Sequence, residues 1–231
     1  AVVKQGSALP SSSNYYWAIE DAGSGSYRIV NAGSGCTLGV NASGKLVTVS
    51  RGDARELSVV FTPSGFKFLR SEQDADAKAH VSDLADGEYL VSSSKNYSFV
   101  LDVAGGSKGN SANIQLYRSN MSNAQRWVVS HDDKGYVTFT NVGSHKVIDV
   151  AGGNASAGTN IAQYASNGTY AQKWIAAKQS NGTYLIESAL RPGLYLGSRG
   201  SGASNGVNVE LSSNEGASHF ALLSTSSSVA K

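Results

Sequence analysis

Two peptide stretches recur at a fixed distance and limit what the chain can become. "VLDVAGG" at 100–106 returns as "VIDVAGG" at 147–153, and "NIQLYRSNMSNAQRW" at 113–127 lines up with "NIAQYASNGTYAQKW" at 160–174, both 47 residues apart. Opening tyrosines (Tyr89, Tyr136, Tyr184) and closing aromatics (Trp127, Trp174, Phe220) keep nearly the same rhythm. A fixed period of this length means one supersecondary unit repeated, so residues 86–231 hold three complete repeats.

Each repeat reads as four short strands, in the first at 88–92, 98–103, 112–117 and 126–130, rich in Val, Ile, Leu, Tyr and Trp with Gly, Ser and Asn between. No helical period is evident. A β-propeller uses similar four-stranded blades but usually at least four of them. Three repeats that end the chain favour a β-trefoil instead. The expectation is an all-β protein with a trefoil at 81–231, preceded at 1–80 by a β-rich, incomplete trefoil-like segment. In that segment one repeat ends at Trp17, another opens at Tyr27 and closes near Phe61, and "GFKFLR" (65–70) begins a third. The acidic, Ala-rich stretch 71–86 reads as a linker or short helical insertion.

The aspartates are the anomaly, because each sits in a run that should be hydrophobic. Side chains alternate across a strand. If Leu101, Val103, Ile114 and Leu116 face the core, then Asp102, Gln115 and Tyr117 meet on the opposite face. An acid, an amide and an aromatic ring suit a sugar. The ring stacks on the pyranose C–H face, the carboxylate accepts two hydroxyl protons, and the amide donates and accepts. The second repeat keeps Asp149 and Tyr164 but has Ala162 in the Gln115 position, with Gln163 one place later, and a one-residue shift moves a side chain to the other face. The third repeat has Gly197, Glu210 and Ser212 in place of Asp, Gln and Tyr, and the N-terminal repeat has Gly39 in place of Asp. Asp102 and Asp149 as turn caps, and Tyr117 and Tyr164 as barrel cover, are the structural alternatives.

Gln125-Arg126-Trp127 and Gln172-Lys173-Trp174, with the upstream Leu/Ile-Asp-Val and the intervening Asn-Ile-x-x-Tyr, resemble the Gln-x-Trp repeat of ricin B-type lectins. That resemblance implies a β-trefoil and glycan binding, with galactose-type or related sugars as partners. It implies sugar contacts from Asp102, Gln115, Tyr117, Asn123 and Gln125 in the first repeat, and from Asp149, Gln163, Tyr164 and Gln172 in the second. The family's Asn before the Gln is Ala124 or Ala171 here, and Asn123 stands one residue off. By residue type alone, Gln125 and Gln172 bond backbone rather than ligand.

Composition removes other classes. With 40% hydrophobic and 16% charged residues the chain is a folded protein rather than a disordered one. A formal charge of +2, with Lys and Arg scattered, argues against nucleic acid as a partner. No apolar run approaches the length of a membrane-spanning helix, so no membrane insertion is expected. A single cysteine, Cys36, forbids an internal disulfide and reads as a small buried hydrophobe. The four histidines lack metal-ligand spacing, and no nucleophile motif has its companions, so neither cofactor, metal nor catalysis is expected. Asn-x-Ser/Thr occurs at Asn41, Asn96, Asn120, Asn154, Asn167 and Asn181, as a chain this rich in Asn, Ser and Thr supplies by chance. The resulting expectation is a non-catalytic lectin or carbohydrate-binding module, secreted or cell-surface, with further domains in a larger parent chain. The rivals are a protein-binding trefoil (adhesin or inhibitor) and a targeting module of a glycoside hydrolase.

Overall fold

The computed structural model describes residues 17–23, 26–31, 34–40, 46–50, 52–53, 56–62, 65–213 and 219–225. Asn41 and the segment before Trp17 lie outside the described residues, as does the side chain of Phe61. The chain divides into two compact units, Ala1–Gln73 and Asp74–Lys231.

The N-terminal unit holds six strands: β1 (Trp17–Gly23), β2 (Ser26–Asn31), β3 (Thr37–Val40), β4 (Leu46–Val49), β5 (Ser58–Thr62) and β6 (Gly65–Phe68). They form one sheet in the order β4-β3-β2-β5-β6, with β1 also on β2. Four strands, β2–β5, are flanked in the chain by β1, which starts at Trp17, and β6, which starts at Gly65. Cys36 is half-buried rather than buried.

The C-terminal unit holds twelve strands: β7 (Gly87–Ser93), β8 (Phe99–Val103), β9 (Ala112–Arg118), β10 (Arg126–His131), β11 (Val137–Asn141), β12 (Val147–Val150), β13 (Ile161–Tyr164), β14 (Trp174–Lys178), β15 (Tyr184–Ser188), β16 (Tyr195–Ser198), β17 (Val207–Ser212) and β18 (His219–Ser224). The pairings divide them into two sets. The first and fourth strands of each repeat pair into a closed ring, β7-β10-β11-β14-β15-β18 and back to β7. The second and third strands form hairpins β8–β9, β12–β13 and β16–β17. The hairpins meet through β9, which pairs with both β13 and β17. At that meeting point stands the same residue from each repeat: Asn113 donates to Asn208 (3.0 Å), and Asn208 donates to Asn160 (2.9 Å).

One core fills the ring. Leu101, Ile114, Leu116, Ile148, Ile161 and Leu196 come from the hairpins, and the closing aromatics Trp127, Trp174 and Phe220 come from the ring strands. The core-facing set expected for the first repeat, Leu101, Val103, Ile114 and Leu116, is fully buried. The opposite face departs from expectation. Val100 and Asp102, placed on the surface by alternation, are also buried. Alternation tells which side a residue takes, not whether a loop covers that side.

The stretch 71–86 is structured. A helix, α1, spans Leu69–Ala79. Its C-terminal part packs on the C-terminal unit: Ala77 is buried with Tyr136, Ile175 and Ala189, and Asp74 accepts from Tyr136 Oη (2.7 Å) and Lys134 Nζ (2.9 Å). Gly135 fits under this helix only as glycine, because a Cβ there would stand 2.7 Å from the Ala77 carbonyl oxygen. Leu84 joins the main core.

Trp127 has no exposed surface, and its Nε1 donates to the Leu101 carbonyl at 3.2 Å. Trp127→Ala should therefore cost about 3–5 kcal/mol of stability by denaturant titration. Tyr117→Ala, at an exposed ring, should change stability by less than about 0.5 kcal/mol.

Candidate functional site

A cleft of about 530 Å³ opens beside the first hairpin, within the range of small-ligand sites. Its floor is Asp102. The β8–β9 register sets Asp102 directly opposite Gln115 and Val100 opposite Tyr117, so acid, amide and ring share one face. Gln115 Nε2 donates to Asp102 Oδ1 at 3.0 Å. Tyr117 stands at the side, 37% exposed, where its ring face can be covered by a ligand.

Asp102 is only 6% exposed, so its charge needs fixed donors. Gln125 supplies the second. Its Nε2 donates to Asp102 Oδ2 (3.1 Å) and to the Arg118 carbonyl (3.1 Å), while its Oε1 accepts the Asn120 N–H (2.8 Å). The side chain is wholly buried and its amide is used at both ends. Gln125 therefore does not face a ligand, as its place among the expected sugar contacts required. It ties the acid to the loop 118–125, which walls the cleft with Asn120, Ser122 and Asn123. Asn123 does reach the cleft, despite standing one residue off the family position. Its Oδ1 accepts from Arg126 (3.1 Å), which turns its amide N–H group toward other partners. The second repeat supplies the far wall through Asn141 and Gly143. Asn141 holds this wall by donating to the Ala124 and Arg126 carbonyls and accepting the Gly143 and Ser144 N–H groups.

The Ala-Gly-Gly after the aspartate turns the chain at the cleft's edge. Gly105 and Gly106 both have positive φ (64° and 62°), a left-handed conformation that glycine adopts without strain. A Cβ at either would meet nothing within 4 Å. The backbone angle, and not crowding, is what requires glycine.

The second repeat copies the frame and loses part of the site. Gln172 Nε2 donates to Asp149 Oδ2 (2.8 Å) and to the Ala165 carbonyl (3.0 Å), and its Oε1 accepts the Asn167 N–H (2.8 Å). Gln172 is as buried as Gln125, so it too is a strut and not a sugar contact. Tyr164 is exposed, but Ala162 stands opposite Asp149. Gln163 is not in the site. It is fully buried, donating to the Ser107 and Gly109 carbonyls (2.9 Å each) and accepting from Ser144 Oγ (2.6 Å). The one-residue shift turned it to the inner face.

The third repeat has the predicted substitutions in register, Gly197 opposite Glu210 and Ser212 opposite Tyr195. Lys95, from the β7–β8 turn, reaches in with its Nζ bonded to Ser198 O, Ser198 Oγ and Gly200 O at 3.0, 2.9 and 2.6 Å. Burial lowers its pKa, and Glu210 nearby pulls it back up. In the first repeat the residues in the places of Ser198 and Gly200 are Val103, in the core, and Gly105, at the edge of the cleft. A lysine thus occupies the corresponding edge of the third repeat.

Lys108, Asn120 and Ser122 were not anticipated as cleft residues. A signal existed for two of them: Asn120-x-Ser122 and Asn167-x-Thr169 recur in phase. In both, the Asn Oδ1 accepts the N–H two residues on (2.9 and 3.0 Å), a turn that holds the loop. Among the described residues, no group of three or more His, Cys, Asp and Glu could hold a metal.

Comparison with known proteins agrees with the repeat pattern. Residues 123–212 match the family model described as ricin-type beta-trefoil lectin domain-like. Among solved structures, the chain resembles a designed three-fold symmetric protein, ThreeFoil, at 26% identity and TM-score 0.57, over 60% of this chain and 99% of that one. It resembles a Polyporus squamosus lectin bound to a Neu5Aca2-6Galb1-4GlcNAc epitope at 19% identity and TM-score 0.52, over 60% of this chain and 49% of that one. It also resembles an exo-beta-1,3-galactanase from Clostridium thermocellum at 21% identity and TM-score 0.56, over 90% of this chain and 45% of that one. The last two likenesses bear on fold alone. No curated protein matches the sequence.

Two measurements check this frame. Gln125→Ala should lower stability by about 1–3 kcal/mol, because it strips a donor from a buried carboxylate. Gln115→Ala, at a half-buried donor, should cost less in the same denaturant titration. The second concerns Asp149, whose pKa is raised by burial and partly restored by the Gln172 hydrogen bond. Its contribution to stability is present at low pH, where it is protonated, and is lost as pH rises through the raised pKa. Relative to Asp149→Asn, the natural chain should lose stability across that rise, measured as denaturant midpoints against pH.

Proposed function

We propose that this chain is a non-catalytic carbohydrate-binding protein, its C-terminal unit a β-trefoil with two unequal sugar sites. The observation that carries the reading is the buried carboxylate of Asp102. Two amides hold it at the floor of an open cleft, beside an exposed tyrosine ring. Each Asp102 oxygen accepts one protein donor and has lone-pair capacity left for a hydroxyl, so a vicinal diol can bridge both. Tyr117 stacks on the apolar face of the same ring, and Asn123 reaches the rim hydroxyls. Galactose-type sugars suit this arrangement, because an axial hydroxyl leaves one ring face free to stack.

Asp149 and Tyr164 form the second site in this reading. It is the weaker, with no amide opposite the acid and a carboxylate that burial disfavours. A glycan-facing role implies a secreted or cell-surface location.

Calorimetric titration with a galactose-type monosaccharide tests the reading. Shallow sites with one ring and few hydrogen bonds should bind at about millimolar Kd, or about −4 kcal/mol. Asp102→Ala should remove more binding than Asp149→Ala, and the double variant should remove all of it. A folded double variant that binds as the natural chain does would reduce both aspartates to turn supports.

A further inference from the structure

On the 118–125 wall of the Asp102 cleft, the side-chain oxygens of Asn120 and Asn123 are both occupied. Asn120 Oδ1 is taken by the Ser122 N–H, and Asn123 Oδ1 by Arg126. Arg126 is itself paired with Glu88 at 2.6 Å. This wall therefore offers the Asn120 and Asn123 amide N–H groups and the Ser122 hydroxyl, and Lys108 lines the cleft beside them. Lys108 is exposed, lines the cleft, and has no ion-pair partner among the described residues. The one acid of the cleft, Asp102, lies on the floor with a protein donor already on each oxygen.

Lys108 is also held in place. Gln163 Nε2 donates to the carbonyls on both sides of it, Ser107 and Gly109, and the Gln163 carbonyl accepts the Ser111 N–H at 2.8 Å. A buried glutamine from the second repeat thus pins the backbone that carries a rim cation in the first. The second repeat has Ala155 in the corresponding place, partly buried against the core.

From this we infer that the first site selects glycans carrying an anionic substituent, a carboxylate or a sulfate, next to the diol that Asp102 binds. Lys108 is the selecting residue. The inference rests on Asp102 binding a sugar. An exposed pair of this kind is worth about 2–5-fold in affinity and weakens with salt. The second site, lacking the cation, shows no such preference.

The test uses the full chain as Asp149→Ala, which leaves the first site, and as Asp102→Ala, which leaves the second. Each is titrated with methyl galactoside, its 2-O-sulfate and its 2-O-carboxymethyl ether, which keep the 3,4-diol free, at low and physiological salt. The readout is the ratio of anionic to neutral affinity within each variant, so a general loss of binding cancels. The ratio should be about 2–5 for the first site, fall toward 1 with salt, reach about 1 in Lys108→Met, and survive in Lys108→Arg. A gain with both anions makes charge the criterion, and a gain with one names the substituent. Neutral binding with a ratio of 1 at the first site, or a ratio unchanged by Lys108→Met, would overturn the inference and leave the sugar site standing. Failure of every probe to bind would overturn the underlying site as well.

Discussion

A carboxylate inside a strand is tied to its repeat by the glutamine of Gln-x-Trp, and the site depends on that contact. An acid with almost no exposure costs several kcal/mol unless donors meet it. Gln125 for Asp102 and Gln172 for Asp149 meet it in the same way. Each amide also takes a carbonyl and an N–H from the loop before it, so acid, loop and strand end are fixed by one side chain. Two residues on, the tryptophan points into the core. The glutamine sits just before the strand and the tryptophan at its start, which gives Gln-x-Trp its meaning: the tryptophan anchors the repeat, and the glutamine ties that anchor to the site.

Much of this was legible. The repeat period located the strands of the first repeat to within one or two residues, and alternation identified its core-facing apolar residues. The register also places Gly197 and Ser212 where the sequence put them. What was not legible depends on coverage and on hydrogen-bond direction. Period 2 placed Asp102 on the outer face but could not show that the 118–125 loop buries it. Residue type pointed to backbone bonds for Gln125 and Gln172, against the sugar contacts that the resemblance implied, but did not show that each also holds its aspartate. Gln163 was flagged by its shifted register, yet its partners lie in another repeat, 54 and 56 residues earlier, which no local pattern reveals. Lys108 gave no signal of its own, because its counterpart in the second repeat is Ala155 and a lone exposed lysine in a Gly/Ser-rich turn reads as ordinary surface.

The three repeats share a frame and differ at the surface. Asn113, Asn160 and Asn208 keep the hydrogen-bonded junction of the hairpins, and the closing aromatics keep the core. Around the cleft position the repeats diverge: one carries acid, amide, ring and cation, the next keeps acid and ring, and the third receives Lys95 instead. Stability rests on the shared part, so the surface part can vary in each repeat at small cost.

The central claim is that binding belongs to the two aspartate-bearing repeats and not to the third. Backbone amide chemical-shift mapping of the full chain, titrated with a galactose-type monosaccharide, tests it most directly. The account predicts shifts clustered at residues 102–124 with the Asn141–Gly143 wall, smaller ones at 149–171, and none around Gly197 and Ser212. Shifts centred on the third repeat, or confined to residues away from both aspartates, would contradict it.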